Sequence, residues 1–197
     1  MKKATILILV LLLIAGCGPF KVNKSSTYLY SNGDSEFKVT KVAFDNYIGY
    51  QIEIYFPGNH QPYFINLRYD PLSLEDINID RKIFHTLRDD NNVYITIDPD
   101  ANLTSKATIA ALEIDKFIDN KYFMNIAVNS SMTKPYHNFA VRTCENATKE
   151  SSVIWLKKSD KNQISLDNNC IIIEGKTEDD LIRGADRLSL YLIGIMP

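Results

Sequence analysis

The sequence predicts an α/β fold, with α+β as the alternative. It reads as a single mixed-sheet domain with a β-hairpin-rich N-terminal half, one βαβ unit and a C-terminal amphipathic helix packed on the sheet. Three observations lead there. Residues 37–69 repeat with period two, residues 93–128 read strand, helix, strand, and residues 177–195 carry an apolar stripe at helical spacing.

Each element has its own signal. Ile48, Tyr50, Ile52, Ile54 and Phe56 alternate with Tyr47, Gly49, Gln51, Glu53 and Tyr55, the pattern of a strand with one buried face. Pro57-Gly58-Asn59 breaks it. Tyr63, Ile65, Leu67 and Tyr69 then alternate until Asp70-Pro71, which predicts a hairpin with an open loop over residues 57–62. Residues 37–44 add a third strand. Residues 72–88 fit a short helix or a strand, and irregular structure plus a short strand is the preferred reading.

The second half is sharper. Val93, Tyr94, Ile95, Thr96 and Ile97 favour a strand that stops at Asp98-Pro99. Thr104 or Ser105 can cap a helix carrying Ala107, Ala110, Ala111, Ile114, Phe117 and Ile118 at 3/4 spacing, and residues 122–128 resume strand character. A unit of this size implies two parallel strands with a right-handed crossover. Residues 139–143 and 153–156 are further short strands. Cys170-Ile171-Ile172-Ile173 is apolar throughout, as expected of a strand covered on both faces. The polar stretch 157–169 reads as a loop. The last helix buries Leu181, Ile182, Ala185, Leu188, Leu192 and Ile195, and turns Asp179, Arg183, Asp186 and Arg187 outward.

The N-terminus carries an address. Lys2 and Lys3 precede an apolar run over residues 4–14, whose eleven helical residues rise about 16 Å, half of a ~30 Å hydrocarbon core. That describes a signal peptide rather than a span. Ile14-Ala15-Gly16-Cys17 follows, with small residues to fit the peptidase and a cysteine to take lipid. The expected organisation is a signal peptide over 1–16, a lipidated tether over 17–35 and one α/β domain over 36–197. Cys17 would carry the anchor, on the outer face of the cytoplasmic membrane. Two acyl chains give lasting attachment where one is marginal.

Composition bounds what such a chain does. Of 197 residues 45% are hydrophobic and 11% aromatic, enough to form a core and to exclude a wholly disordered chain. The formal net charge is −2, and removal of Lys2 and Lys3 with the leader leaves 20 basic against 24 acidic residues, a net −4. No nucleic-acid partner is expected without a basic field to displace counterions. After Cys17, an even pair remains in Cys144 and Cys170. Export lets them form a disulfide that pins the strand before the last helix to the end of an earlier one; two buried free thiols are the alternative.

Reactive constellations are scarce. Ile173-Glu174-Gly175-Lys176-Thr177 imitates a P-loop ending, but Cys170 stands where that motif needs glycine, and Glu178, Asp179 and Asp180 would repel an anion. His60, His85 and His137 stand apart from one another, without metal-ligand spacing. No cofactor, metal or catalytic residue is assigned. Asn23, Asn102, Asn129 and Asn146 begin N-x-S/T sequons in tether or loops, acceptors only where a glycosylation system exists. Tyr47, Tyr55, Tyr63 and Tyr69 on the predicted hairpin are the candidate binding surface, for an envelope protein or a glycan.

Several stretches carry a resemblance: Leu67-Arg68-Tyr69-Asp70-Pro71, Val93 to Pro99 with the helix after it, Thr143-Cys144-Glu145-Asn146-Ala147-Thr148, and the ending from Cys170 through Ala185-Asp186-Arg187-Leu188 to Gly194-Ile195-Met196. Together they resemble an uncharacterised family of exported proteins from small-genome archaea, over residues 65–197. That family has no established activity, so the resemblance implies no catalytic residue. It implies export, and that the two cysteines form one unit. The strand–Gly–helix modules also resemble those of archaeal surface-layer proteins, a likeness of fold alone. The expected function is therefore a membrane-anchored cell-envelope lipoprotein with a non-catalytic binding or surface-organising domain. The competing expectation is an envelope hydrolase whose carboxylates meet only in three dimensions.

Overall fold

The computed structural model describes residues 26–88 and 90–197. Cys17, Asn23 and the expected signal peptide lie outside these residues. Two sheets enclose a layer of helices, and the fold is α/β. The first sheet is an antiparallel meander of β1 (Thr27–Ser31), β2 (Glu36–Ala43), β3 (Ile48–Ile54) and β4 (Tyr63–Leu67), in that order. Its register sets Val39 beside Ile52 and Ile52 beside Ile65, all buried. The period-two pattern thus produces one continuous apolar face.

β1 falls inside the stretch expected to be tether. Asn32-Gly33 is the hairpin turn that pairs it with β2: Asn32 Oδ1 accepts from the amides of Asp34 and Ser35, and Gly33 takes φ +94°. Tyr30 is buried, so the folded chain reaches back to Thr27. Five residues are too few for their alternation to stand out beside a polar leader.

The second sheet runs β5-β10-β11-β9-β6-β7-β8, with β5 (Asn78–Ile79), β6 (Asn92–Ile97), β7 (Ala127–Met132), β8 (Ala140–Val141), β9 (Ser151–Lys158), β10 (Gln163–Asp167) and β11 (Cys170–Gly175). Every neighbouring pair is parallel except β10 with β11. Strand β6, helix α2 (Ser105–Ile118) and β7 make the expected βαβ unit. Thr104 caps α2 by accepting from the Lys106 amide. β7 starts later than expected because residues 120–125 form a turn, with Phe123 and Asn125 both bonded back to the Asn120 carbonyl. Residues 71–88 hold a 3-10 turn (Pro71–Leu74), β5 and the short helix α1 (Ile83–Arg88).

The loop expected over 157–169 contains β10, with Ile164 buried. Its signal was present: Ile164 and Leu166 alternate with polar residues before Asn168-Asn169, and Asn168 adopts φ 54° in the turn into β11. The density of polar residues around it hid the strand.

Helix α3 (Glu178–Leu192) lies beside α2 between the two sheets. On one side it approaches β11 so closely that a Cβ at Gly184 would stand 2.5 Å from Ile173 Cγ2, which is why glycine sits there. On the other side, Asp186 reaches the end of β4. The expectation that Asp186 and Arg187 face outward is therefore corrected: both are buried, because a second sheet covers the face that one sheet would leave wet. Asp179 is exposed as expected. The helix also stops at Leu192. Gly194 takes φ +73°, its amide bonds Tyr191 O, and the Ile195 amide bonds Leu190 O, a Schellman ending. Arg187 Nη1 then holds the tail through Met196 O at 2.6 Å.

The outer face of the second sheet carries Tyr94, Thr96, Val153, Trp155 and Cys170. Residues 140–148 cross part of it. Arg142 stacks 4.5 Å over Tyr94, its carbonyl accepts from Thr96 Oγ1, and Cys144 is disulfide-bonded to Cys170. Among the described residues no helix is long and apolar enough to cross a membrane.

Candidate functional site

The four candidate tyrosines do not form one surface. Tyr47 stacks on Phe44 and lies beneath the Arg68 guanidinium at 3.8 Å. Tyr63 faces inward, accepting from Asn120 Nδ2. Tyr69 donates to Asp179 across the gap to α3; burial, and then that carboxylate, push its phenol up to about 12. Tyr55 is the exposed one, at 59%. Period two separates the faces of a strand but leaves open which face is covered, and here residues from both faces of the sheet were grouped together. Asn102 and Asn146 are exposed outside strands, whereas Asn129 sits in β7 rather than in a loop. His60, His85 and His137 are exposed and on separate segments.

Among the described residues, the best-formed concavity is a cleft of ≈ 770 Å³. The start of β2 gives it Phe37, the end of β3 gives Ile54 and Phe56, α1 gives Phe84, the turn before β7 gives Phe123 and Met124, and the Schellman ending gives Ile193 and Ile195. Behind it stands a cluster of rings: Phe123 is 6.0 Å from Phe56, 5.6 Å from Tyr63 and 5.5 Å from Phe117. Such a wall is rigid and apolar, suited to dispersion and ring contacts. Glu36, Glu53 and Arg88 stand among the lining, with Glu53 paired to Lys38 at 2.6 Å. Five separate segments assemble this cleft. No local motif could announce it, and Phe84, Phe123 and Met124 looked like ordinary core residues.

The other chemically distinct place is a buried polar knot. Asp186 Oδ2 accepts from the backbone amides of Arg68 at 2.9 Å and Tyr69 at 2.8 Å, while Oδ1 is buried without a partner. Glu113 on α2 accepts from Arg68 Nε and from Lys116 Nζ, and Lys116 also bonds the Asn66 carbonyl. The knot ties both helices to the end of β4. Burial, and then the Glu113 carboxylate, push the Asp186 carboxyl up to about 7, against the pull of Lys116 and the two amides.

This has a measurable consequence. A carboxyl whose folded value lies above its unfolded one binds its proton more tightly when folded, so the contribution of Asp186 to stability is greatest at low pH and falls as pH rises from about 4 to about 7. The loss is on the order of a few kcal/mol, since each unit is worth ~1.4 kcal/mol. Asp186→Asn keeps an acceptor for both amides and removes the titration. Urea unfolding at pH 5 and pH 8 should show a smaller difference in the variant than in the parent; identical differences would refute the assignment.

A third feature concerns anions. Glu178 Oε2 accepts from the Thr104 amide at 2.9 Å, from Thr104 Oγ1 at 2.9 Å and from the Ala107 amide at 3.2 Å. The chain's own carboxylate thus occupies the N-terminus of α2, the place where a phosphate would bind. At α3, Thr177 and Asp180 form a reciprocal capping box. The apparent P-loop ending is a helix cap.

The fold and site define an α/β domain with an aromatic cleft at one edge of its helix layer. No protein-family model matches the chain, and no curated protein or solved structure is significantly similar to it.

Proposed function

We propose that the chain is a membrane-anchored cell-envelope lipoprotein whose α/β domain is a non-catalytic binding module. The observation that carries this reading is the ≈ 770 Å³ cleft walled by Phe37, Phe56, Phe84 and Phe123. Its volume falls in the ~300–1,000 Å³ range typical of ligand pockets. The address comes from sequence: the Lys2-Lys3 start, the apolar run and Ala15-Gly16-Cys17 support export and lipidation, as does the resemblance to exported archaeal proteins. A bonded Cys144–Cys170 pair fits a compartment outside the reducing cytosol.

The hydrolase reading has one observation in its favour, the Asp186–Glu113 pair. Neither carboxylate lines any of the three best-formed cavities among the described residues, and three of their four oxygens already hold amides or cations. The binding reading is therefore preferred. Two measurements test it. Cys17→Ser should release the protein from the membrane fraction or leave it uncleaved; normal processing with unchanged attachment refutes the anchor. Capture from native envelope by the full chain should yield a partner that Phe84→Glu loses and Leu29→Glu keeps. Equal capture by both variants places binding elsewhere.

A further inference from the structure

We propose that the cleft receives an acyl chain of a lipid in the membrane beside which Cys17 holds the domain; this rests on the binding-module reading of the same site. The lining is mainly phenyl rings, aliphatic branches and a methionine, which suit a hydrocarbon chain. The mouth is amphipathic. Of the lining, Tyr55 is 59% exposed and Phe84 37%, and Tyr122, 54% exposed, stands 5.7 Å from Phe56; tyrosines settle at the headgroup level of a bilayer.

Charge is arranged to match. Exposed Arg81 and Lys82 lead into α1 next to Phe84, and the first turn of that helix has no acid. An acyl chain entering along this wall would bring its phosphate toward these cations. Lys121 adds another beside the mouth, 4.9 Å over the Tyr122 ring. The opposite wall carries the acids Glu36 and Glu53, so one rim of the cleft suits an anionic headgroup and the other does not.

Tether length supplies the rest. Cys17 precedes Ser26 by nine residues, which even when fully extended reach only about 30 Å. A lipidated chain would keep its domain within that distance of the bilayer, where acyl chains are the most concentrated apolar ligand. Leu29, 62% exposed on β1, is an apolar surface residue that does not line the cleft. It serves as the control.

The test uses the full lipidated chain, reconstituted in phosphatidylcholine vesicles with and without phosphatidylglycerol, transferred to mild detergent and weighed by native mass spectrometry. One non-covalent phospholipid per chain is expected, enriched in phosphatidylglycerol. Phe84→Glu and Tyr55→Glu should each lower the bound fraction about tenfold, the factor expected for ~1.4 kcal/mol, while Leu29→Glu matches the parent. Absence of the adduct, or equal loss in Leu29→Glu, overturns the proposal. An adduct that appears only in Cys17→Ser means the chain's own acyl group fills the cleft, which also overturns it. If no adduct forms but Phe84→Glu still loses a captured envelope partner, the lipid falls and the binding module stands. If neither is seen, both fall.

Discussion

Leu188→Ala should destabilise the folded chain by about 2–5 kcal/mol, toward the upper end of that range. Leu188 is fully buried in α3, near Gly184, whose missing side chain lets the helix lie against Ile173. Burying a leucine contributes roughly 1.5–3 kcal/mol through the area it removes from water. The remainder of the loss comes from the cavity, which costs more where the walls cannot close. Here they cannot easily close. α3 is held on one side by β11 and on the other by the Asp186 contacts to the end of β4, and its C-terminus is held by Arg187 on Met196 O. Guanidinium unfolding, read with an unchanged slope, measures the effect. A loss below about 1 kcal/mol would mean that the helix layer is loosely packed.

The same helix shows how far the sequence could be read. Its apolar stripe, its capping residue and its position after an apolar strand were all legible, because a 3/4 period and a Thr-x-x-Asp start need only neighbouring residues. The burial of Asp186 and Arg187 was not. A charge on the far face of an amphipathic helix is normally solvated, and only the fold of residues 27–67 into a separate sheet places a second layer there. The meander was visible strand by strand, yet nothing local says whether four strands extend one sheet or form another. The cleft was illegible for the same reason. Phe37, Phe56, Phe84, Phe123 and Ile193 lie on five segments, and each is an unremarkable apolar residue until the helix layer brings them to one edge.

The disulfide was legible as a pair, expected to pin the strand before the last helix to the end of an earlier strand. In the structure, Cys170 and the helix lie on opposite faces of β11: Ile171 and Ile173 meet the helix layer, while Cys170 points to the outer face. There it meets Cys144, in the 3-10 turn Cys144–Asn146 that follows β8. The bond therefore staples the β8–β9 connection onto the sheet.

Cys144→Ala should in consequence cost about 3–4 kcal/mol, the chain-entropy value for a loop of this size, with the two cysteines 26 residues apart. Cys144 is the better position to change. It is partly exposed, and the Cys170 thiol left behind behaves as a small apolar group in its buried site. The loss should also be local in its dynamics. Residues 140–148 keep the Arg142–Tyr94 stacking, the Thr96 bond and the Thr143–Asn146 cap, contacts worth too little to hold a solvent-facing segment as firmly as a covalent link. Amide exchange should quicken across residues 140–148 and at β8, and stay unchanged in α3, whose anchors lie on the other face. Faster exchange in α3 with none in 140–148 would show that the bond acts through the helix and refute this account. A stability change below about 1 kcal/mol would show that the outer-face contacts alone hold the segment in place.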